Sequence, residues 1–536
     1  MAQPFSVSRF RRPALRSVQI SLALLLLFSG LLVAQELKHV QQQIKSGIIE
    51  GVVSADGQVR TFKGIPFAAP PVGPFRWQPP QPTSPWPGVR KAIDFGPRCM
   101  QTRVFDDMIF HDAGPSEDCL YLNIWLPEHH SGKLPVMVWI YGGGLRAGST
   151  SEPRQDGGDL CKKGVLVVSM NYRLGIFGFF AHPELAQESP HHASGNYGLL
   201  DQLAALQWVK ENIAAFGGDP NNVTIFGESA GSASVSALVA SPLAKGLFRR
   251  AIGESGSVVG LREVKSLEET EKLGVDFANS QLGTDSLAGL RAKPATELLE
   301  AAAKKDAPHF SINVDGYFFS EIPESIYESG KQNHVALLAG WNQDEGNYRD
   351  IFENDSPTPE NFVTKVRTLY GSNADAILKV YPHSNESETK RSASDLAGDR
   401  FIAFSTWKWI ELQLETAKSP VYRYHFEETL PFPAGTPVSS QTEPQAPHAS
   451  EIEFVFQVLS SRDLPWRPQD EKVSQLMGDY WTNFAKTGDP NGKGLPHWPQ
   501  YKPEAFDVMH LNGNANAGPD TLRDRYLTLN KIAGVH

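Results

Sequence analysis

Ser229 stands in Gly227-Glu228-Ser229-Ala230-Gly231, with the apolar, β-branched run 223–226 before it and small helix-compatible residues, 232–239, after it. A strand turning directly into a helix holds the residue at the bend in strained backbone. Glycines two positions to either side let the two elements approach, and the hydroxyl is left raised as a nucleophile. An attacking serine creates a tetrahedral oxyanion that needs fixed donors. The run 134–140 ends in Tyr141-Gly142-Gly143-Gly144, where no side chains obstruct the backbone N–H groups, and the N–H of Ala230 completes a candidate oxyanion hole.

Such a serine also needs a base, and the base an orienting carboxylate, from segments that meet only in the fold. The chain has 15 histidines, so composition does not choose among them. His425 lies inside an apolar strand-like run and reads as a core histidine. His448 follows that run and a long loop, from which it can reach across the strand ends. For the acid, the run 335–339 leads into Gly340-Trp-Asn-Gln-Asp344-Glu345-Gly346, and topology leaves Asp344 and Glu345 as alternatives.

The elements that must position these groups show in the hydrophobic pattern. Continuous apolar runs at 134–140, 165–170, 223–226, 335–339 and 421–424 suit strands buried on both faces of a sheet. Helix-like stretches lie between them. In 199–213, apolar residues at 199, 203, 206, 209 and 213 keep helical spacing until Gly217-Gly218-Asp219-Pro220. Alternating strands and helices predict an α/β fold with a large, mostly parallel central sheet. Residues 66–97, dense in proline and carrying Trp77 and Trp86, read as irregular chain wrapped on the core. Residues 354–400 are polar and helix-like, and 429–447 read as a long loop.

Composition narrows the function. The 536-residue chain is 40% hydrophobic and 21% charged, with net charge −10, as expected of a globular protein with one large body. Residues 1–34 differ: Arg9, Arg11, Arg12 and Arg16 precede a short apolar core, which reads as a secretory signal peptide. A retained anchor is the alternative, because Leu32 is not the small residue that cleavage prefers. Removing four arginines and no acids from a net −10 leaves −14, a poor surface for nucleic acid. Export, periplasmic or extracellular, would bring the chain into an oxidising compartment. Of the three cysteines, Cys99 and Cys119 would close a short loop, worth about 3 kcal/mol, and Cys161 is left over. Three free thiols are the alternative.

The segments 216–231 (Phe-Gly-Gly-Asp-Pro-Asn-Asn-Val-Thr-Ile-Phe-Gly-Glu-Ser-Ala-Gly) and 117–125 (Glu-Asp-Cys-Leu-Tyr-Leu-Asn-Ile-Trp) carry a resemblance to a known family. So do Gly64-Ile-Pro-Phe-Ala, Asn171-Tyr-Arg-Leu-Gly, 195–202, 448–456 and 481–491. The sequence resembles the type-B carboxylesterase/lipase family of α/β-hydrolases, which includes cholinesterases and bacterial para-nitrobenzyl-type esterases. The resemblance implies Ser229 as nucleophile, Glu345 as acid and His448 as base, with Gly143, Gly144 and Ala230 as oxyanion donors. It implies Glu228 and Ser255 beside the triad, and a Cys99–Cys119 disulfide. No metal or cofactor is called for.

The departures bear on substrate. Cholinesterases hold a quaternary ammonium against a tryptophan in the first disulfide loop, and residues 100–118 contain none. The stretch 258–262, Val-Val-Gly-Leu-Arg, also lacks the aromatics of a cholinesterase acyl pocket. A secreted esterase for neutral or partly hydrophobic small-molecule esters is the expectation. The alternatives are an interfacial lipase for long acyl chains and, from another class, a non-catalytic cholinesterase-like binding protein.

Overall fold

A computed structural model describes residue 1 and residues 37–260, 264–437 and 445–534. The expected leader, apart from Met1, and the middle of the 429–447 loop lie outside the described residues. The frame is a 13-stranded sheet. In chain order its main strands are β1 (His39–Ile44), β2 (Gly47–Val53), β3 (Val59–Pro66), β4 (Tyr121–Pro127), β5 (Leu134–Ile140), β6 (Leu166–Met170) and β7 (Gly218–Glu228). They continue with β8 (Arg250–Glu254), β9 (Ala336–Asn342), β10 (Val421–Phe426), β11 (Asp507–Leu511) and β12 (Asn516–Pro519). Across the sheet the order is β1-β2-β3-β4-β6-β5-β7-β8-β9-β10-β11-β12, and the short strand Val89–Lys91 pairs with β2.

From β6 to β11 every neighbouring pair is parallel, and antiparallel strands flank that block on both sides. β5, β6, β8 and β9 are buried along almost their whole length. Both faces of a parallel sheet are covered by crossover helices, which is why these strands read as unbroken apolar runs. Strand order reverses between β5 and β7, and the carboxyl ends of strands at such a point open a crevice.

All five predicted strands are present, 134–140 with the predicted bounds and the other four with shifted ends. β7 begins at Gly218 because the polar turn 219–222 is bulged out of the pairing with β5 rather than ending it; the register resets at Val223. The predicted helix 199–213 is α1 (Tyr197–Asn212), followed by a 3-10 turn and left-handed Gly217. Some of its polar residues are buried as well, Asp201 among them. The reason is Arg173, whose Nε and Nη2 donate to Asp201 at 2.8 and 2.7 Å, so the buried carboxylate is paired and bonded.

The α2 helix (Ala230–Ala240) follows β7 without a linker. The polar stretch 354–400 folds as α3 (Pro359–Tyr370), α4 (Ala374–Val380) and α5 (Glu386–Gly398), and α5 passes through a π turn, Asp399–Ala403, into α6 (Phe404–Ala417). In 66–97 the chain is mostly irregular. Trp77 is buried there and donates to the Ile176 carbonyl at 2.8 Å. Cys99 and Cys119 are disulfide-bonded, and Cys161 is buried and free. Among the described residues no helix is long and apolar enough to cross a membrane.

Candidate active site

Ser229 occupies the bend between β7 and α2 with φ 56° and ψ −121°. Such backbone costs a non-glycine residue about 1–3 kcal/mol and persists only where its surroundings fix it. Two bonds do so: the Ser229 N–H donates to the Glu254 carbonyl at 2.8 Å, and its carbonyl accepts from Ala233 in the first turn of α2 at 2.9 Å. Close packing adds a third constraint. A Cβ on Gly231 would lie 2.0 Å from the Ile140 carbonyl oxygen, so only glycine lets α2 sit this near the end of β5.

His448 Nε2 is 2.9 Å from Ser229 Oγ, and its Nδ1 is 2.6 Å from Glu345 Oε2. The other Glu345 oxygen accepts from Ser255 Oγ at 2.6 Å and from the Asn342 N–H at 2.8 Å. That carboxylate therefore cannot rotate away without losing two donors. Ser229, His448 and Glu345 thus form one continuous chain of contacts, each from a segment after a different strand. Of the two acids left open by topology, Glu345 faces His448. Asp344 turns the other way, to Arg391 Nη1 at 2.7 Å and the Ala446 N–H at 2.8 Å.

Those Asp344 contacts help hold the loop that carries His448. Asp344 pairs with Pro447 as an isolated parallel bridge, and Asn342 Nδ2 donates to the Pro447 carbonyl at 2.8 Å and to Glu451 Oε2 at 2.5 Å. The end of β9 therefore holds Glu345 and the loop that carries His448 at once. Sequence reasoning missed Asn342 and Glu451. Asn342 lies three residues from Glu345 and Glu451 three from His448, a spacing that carries no meaning before the two segments are seen together.

Glu228, expected beside the triad, places Oε1 3.2 Å from His448 Nε2 and is buried. Ser255 Oγ lies against Glu345. Burial works to lower the His448 pKa, but the negative charges of Glu228, Glu345 and Glu451 outweigh it and raise it. Burial pushes Glu228 and Glu451 up as well, His448 opposing this at Glu228 and neighbouring carboxylates adding to it at Glu451. Protons are therefore shared across a cluster, and its titration belongs to the group rather than to one residue.

Gly143 and Gly144 have φ of 96° and 63°, and the Gly143 carbonyl is tied back by the N–H groups of Arg146 and Ala147. Among the described residues, the N–H groups of Gly143, Gly144 and Ala230 donate to no protein acceptor. Ala230 is the first residue of α2, where helix N–H groups lack internal partners.

Ser229 and His448 open into a cavity of about 500 Å³, a size typical of small-molecule sites. Its walls are mainly apolar, among them Leu145, Phe179, Val258, Val259, Phe310 and Ile312. Phe105, from the loop closed by the disulfide, and Phe401, from the π turn, also line it. The Phe401 ring stands edge-on to His448, 5.0 Å between centroids. His425 lies elsewhere, half-buried on β10 beside Glu427.

A sequence profile described as the Carboxylesterase family matches residues 38–529. The chain is 36% identical over 510 residues to a fumonisin B1 esterase of Sphingopyxis macrogoltabida, covering 90% of this chain and 87% of that protein. It is 37% identical to a medium-chain fatty acyl-CoA hydrolase precursor of Anas platyrhynchos, covering 84% of each. To a liver carboxylesterase of Sus scrofa it is also 37% identical, covering 83% of this chain and 84% of that one. With this likeness along nearly its whole length and an α/β-hydrolase sheet beneath it, the chain belongs to the carboxylesterase family and is a carboxylic ester hydrolase.

Proposed function

We propose that the protein is an exported serine carboxylesterase, with a leader at 1–34 and a single catalytic domain over 35–536, acting on neutral or partly hydrophobic esters through an acyl-enzyme on Ser229. The observation that carries the reading is the unbroken contact chain Ser229–His448–Glu345 at the floor of an apolar cavity. Ser229 Oγ attacks the ester carbonyl as His448 Nε2 takes its proton, and Glu345 stabilises the imidazolium at Nδ1. The oxyanion gains hydrogen bonds from Gly143, Gly144 and Ala230 that the planar ester does not receive equally. His448 then protonates the departing alkoxide. Water, deprotonated by the same imidazole, attacks the acyl-enzyme and releases the acid and free Ser229.

A fluorophosphonate probe tests the nucleophile: wild type labels and Ser229→Ala does not. Equal labelling of the two, or none of wild type, overturns the reading. One observation favours a second reading. Phe105, Leu273 and Phe401 line the cavity yet are 40%, 37% and 39% exposed, an apolar rim suited to a lipid surface. A chain-length series of para-nitrophenyl esters separates the two. Turnover peaking at short acyl chains supports the esterase; turnover rising past about twelve carbons and jumping at micelle formation supports an interfacial lipase, for which rim burial supplies the driving force. Export draws support from the Cys99–Cys119 bond.

A further inference from the structure

A second group of titratable side chains lies on β10 and β11, outside the esterase machinery. His425 and His510 are register partners on these parallel neighbours. Side chains two residues apart share a face of a strand, so Glu427 follows His425 and Asn512 follows His510 on that face. All four converge. Glu427 Oε1 is 3.0 Å from His425 Nδ1 and 2.6 Å from His510 Nδ1, while Oε2 accepts from Asn512 Nδ2 at 2.8 Å. The His425, Glu427 and His510 side chains are 14%, 20% and 25% exposed, within reach of solvent without opening the core.

We propose that His425, Glu427 and His510 form a binding site for a divalent transition ion, Zn²⁺ foremost, with water completing the coordination. Two imidazoles and one carboxylate are a zinc-type ligand set, whereas Ca²⁺ and Mg²⁺ take oxygen ligands. The ligand atoms all lie within 4.8 Å of one another. A tetrahedral ion with bonds of about 2.1 Å spaces its ligands about 3.4 Å apart. The two Nδ1–Oε1 separations therefore need to open by less than about an ångström, which the side-chain torsions of three partly exposed residues allow.

The proton balance is simple. An imidazole that faces Glu427 Oε1 carries its proton at Nδ1; on binding, a singly protonated ring moves that proton to Nε2 by exchange with solvent, and the Nδ1 lone pair is then free for the ion. A doubly protonated imidazole releases one proton to solvent. The hydrogen bond to Glu427 draws His510 toward that state against burial, and the charges of Glu427 and Asp520 add to it while Arg423 opposes it. Hydrogen bonds and charge from both imidazoles hold Glu427 below the usual carboxylate range, although burial works to raise it. The carboxylate oxygen lies between the two Nδ1 atoms, and because protons and metal compete for the same lone pairs, binding weakens at low pH. Glu427 is the first residue after β10, and its N–H donates to the Leu511 carbonyl at 2.9 Å. An ion here would tie β10 to β11 at the start of the loop leading to His448.

The test uses full-length protein stripped with a chelator, freed of it by dialysis, and titrated with Zn²⁺ and separately with Co²⁺. The expected result is one saturating equivalent, a raised Tm with Zn²⁺, and the intense visible bands of four- or five-coordinate cobalt. His510→Gln and Glu427→Gln should each weaken Zn²⁺ binding at least about tenfold, the low end for losing even an outer partner of a metal site, and abolish the cobalt bands. Turnover of para-nitrophenyl butyrate should be unchanged in both variants, and His448→Gln should still bind the ion. Absence of a saturating equivalent in wild type overturns the proposal. So does an octahedral cobalt spectrum, or binding that survives both substitutions and disappears in His448→Gln. Circular dichroism of the metal-free variants identifies one that has lost its fold; the other, together with the wild-type cobalt spectrum, then decides.

Discussion

Among single residues, the instructive pair is Asp344 and Glu345. The sequence places two carboxylates after β9 and offers no physical reason to prefer one, because which faces His448 depends on the turn taken and on a loop more than 100 residues away. The resemblance implied Glu345, and it is Glu345 that lies against His448. Their roles predict different losses. Glu345→Gln removes the charge that stabilises the imidazolium and should cut kcat by about 10³–10⁴, in line with acid substitutions in comparable triads. Ser255→Ala removes one of two donors that fix Glu345 and should cost about 2 kcal/mol, or roughly thirtyfold in kcat/KM. An effect of Ser255→Ala as large as that of Glu345→Gln would contradict a purely orienting role. Glu228 acts through charge. It lies 3.2 Å from His448 Nε2, and removing its negative charge destabilises the imidazolium. The His448 pKa therefore falls, and the acid limb of the kcat/KM profile should move to lower pH in Glu228→Gln. Because burial raises the Glu228 pKa as well, the two profiles should converge at pH values where Glu228 itself is protonated. A limb that stays put, or moves alkaline, would rule out this coupling.

At the scale of elements, the strands and α1 were legible because buried parallel strands require continuous apolar runs and helices require their own spacing. The π turn Asp399–Ala403 was not. It depends on Asp399, paired with Arg525 and bonded to Tyr381, and those partners come from distant segments; yet it is this turn that presents Phe401 to His448. The pairing of β9's end with the 446–451 loop was hidden for the same reason. Two substitutions probe these junctions. Gly231→Ala sets a Cβ 2.0 Å from the Ile140 carbonyl, so α2 must shift from β5. Overpacking of this kind costs about 1–3 kcal/mol, read as a lower urea midpoint, and the shift should also remove most activity. Asp344→Ala removes the acceptor of the Ala446 N–H and one of the two carboxylates on Arg391, which keeps Asp395, and leaves Glu345 in place. It should lower kcat more than it raises KM, with faster amide hydrogen exchange over 445–451 and little change elsewhere. Unchanged exchange there would mean that Asn342 and the backbone bond from residue 344 to the Ala446 carbonyl suffice to hold the loop.

For the molecule as a whole, fold and family could be read from the sequence, but the substrate could not. The cavity walls come from positions near 105, 145, 179, 258, 310 and 401, and no local pattern tells which separated side chains will share one pocket. Cysteine use was legible, because a chain with three cysteines and one disulfide keeps one over, and it permits a direct count. Cys161 is buried, and burial pushes its thiol pKa up, so little reactive thiolate forms. Folded protein should therefore give no reaction with a thiol reagent. Unfolded without reductant it should give one thiol, and after reduction three. The bond closes the loop that brings Phe105 to the cavity, so its loss should be felt twice. Cys99→Ser with Cys119→Ser should lower stability by about 3 kcal/mol and raise KM for aromatic and medium-chain esters, which touch that wall, more than for acetate esters. Three reactive thiols in the unfolded, unreduced protein would show that the bond does not form. The argument for an oxidising destination would fall with it, while the esterase reading, which rests on Ser229, His448 and Glu345, would stand.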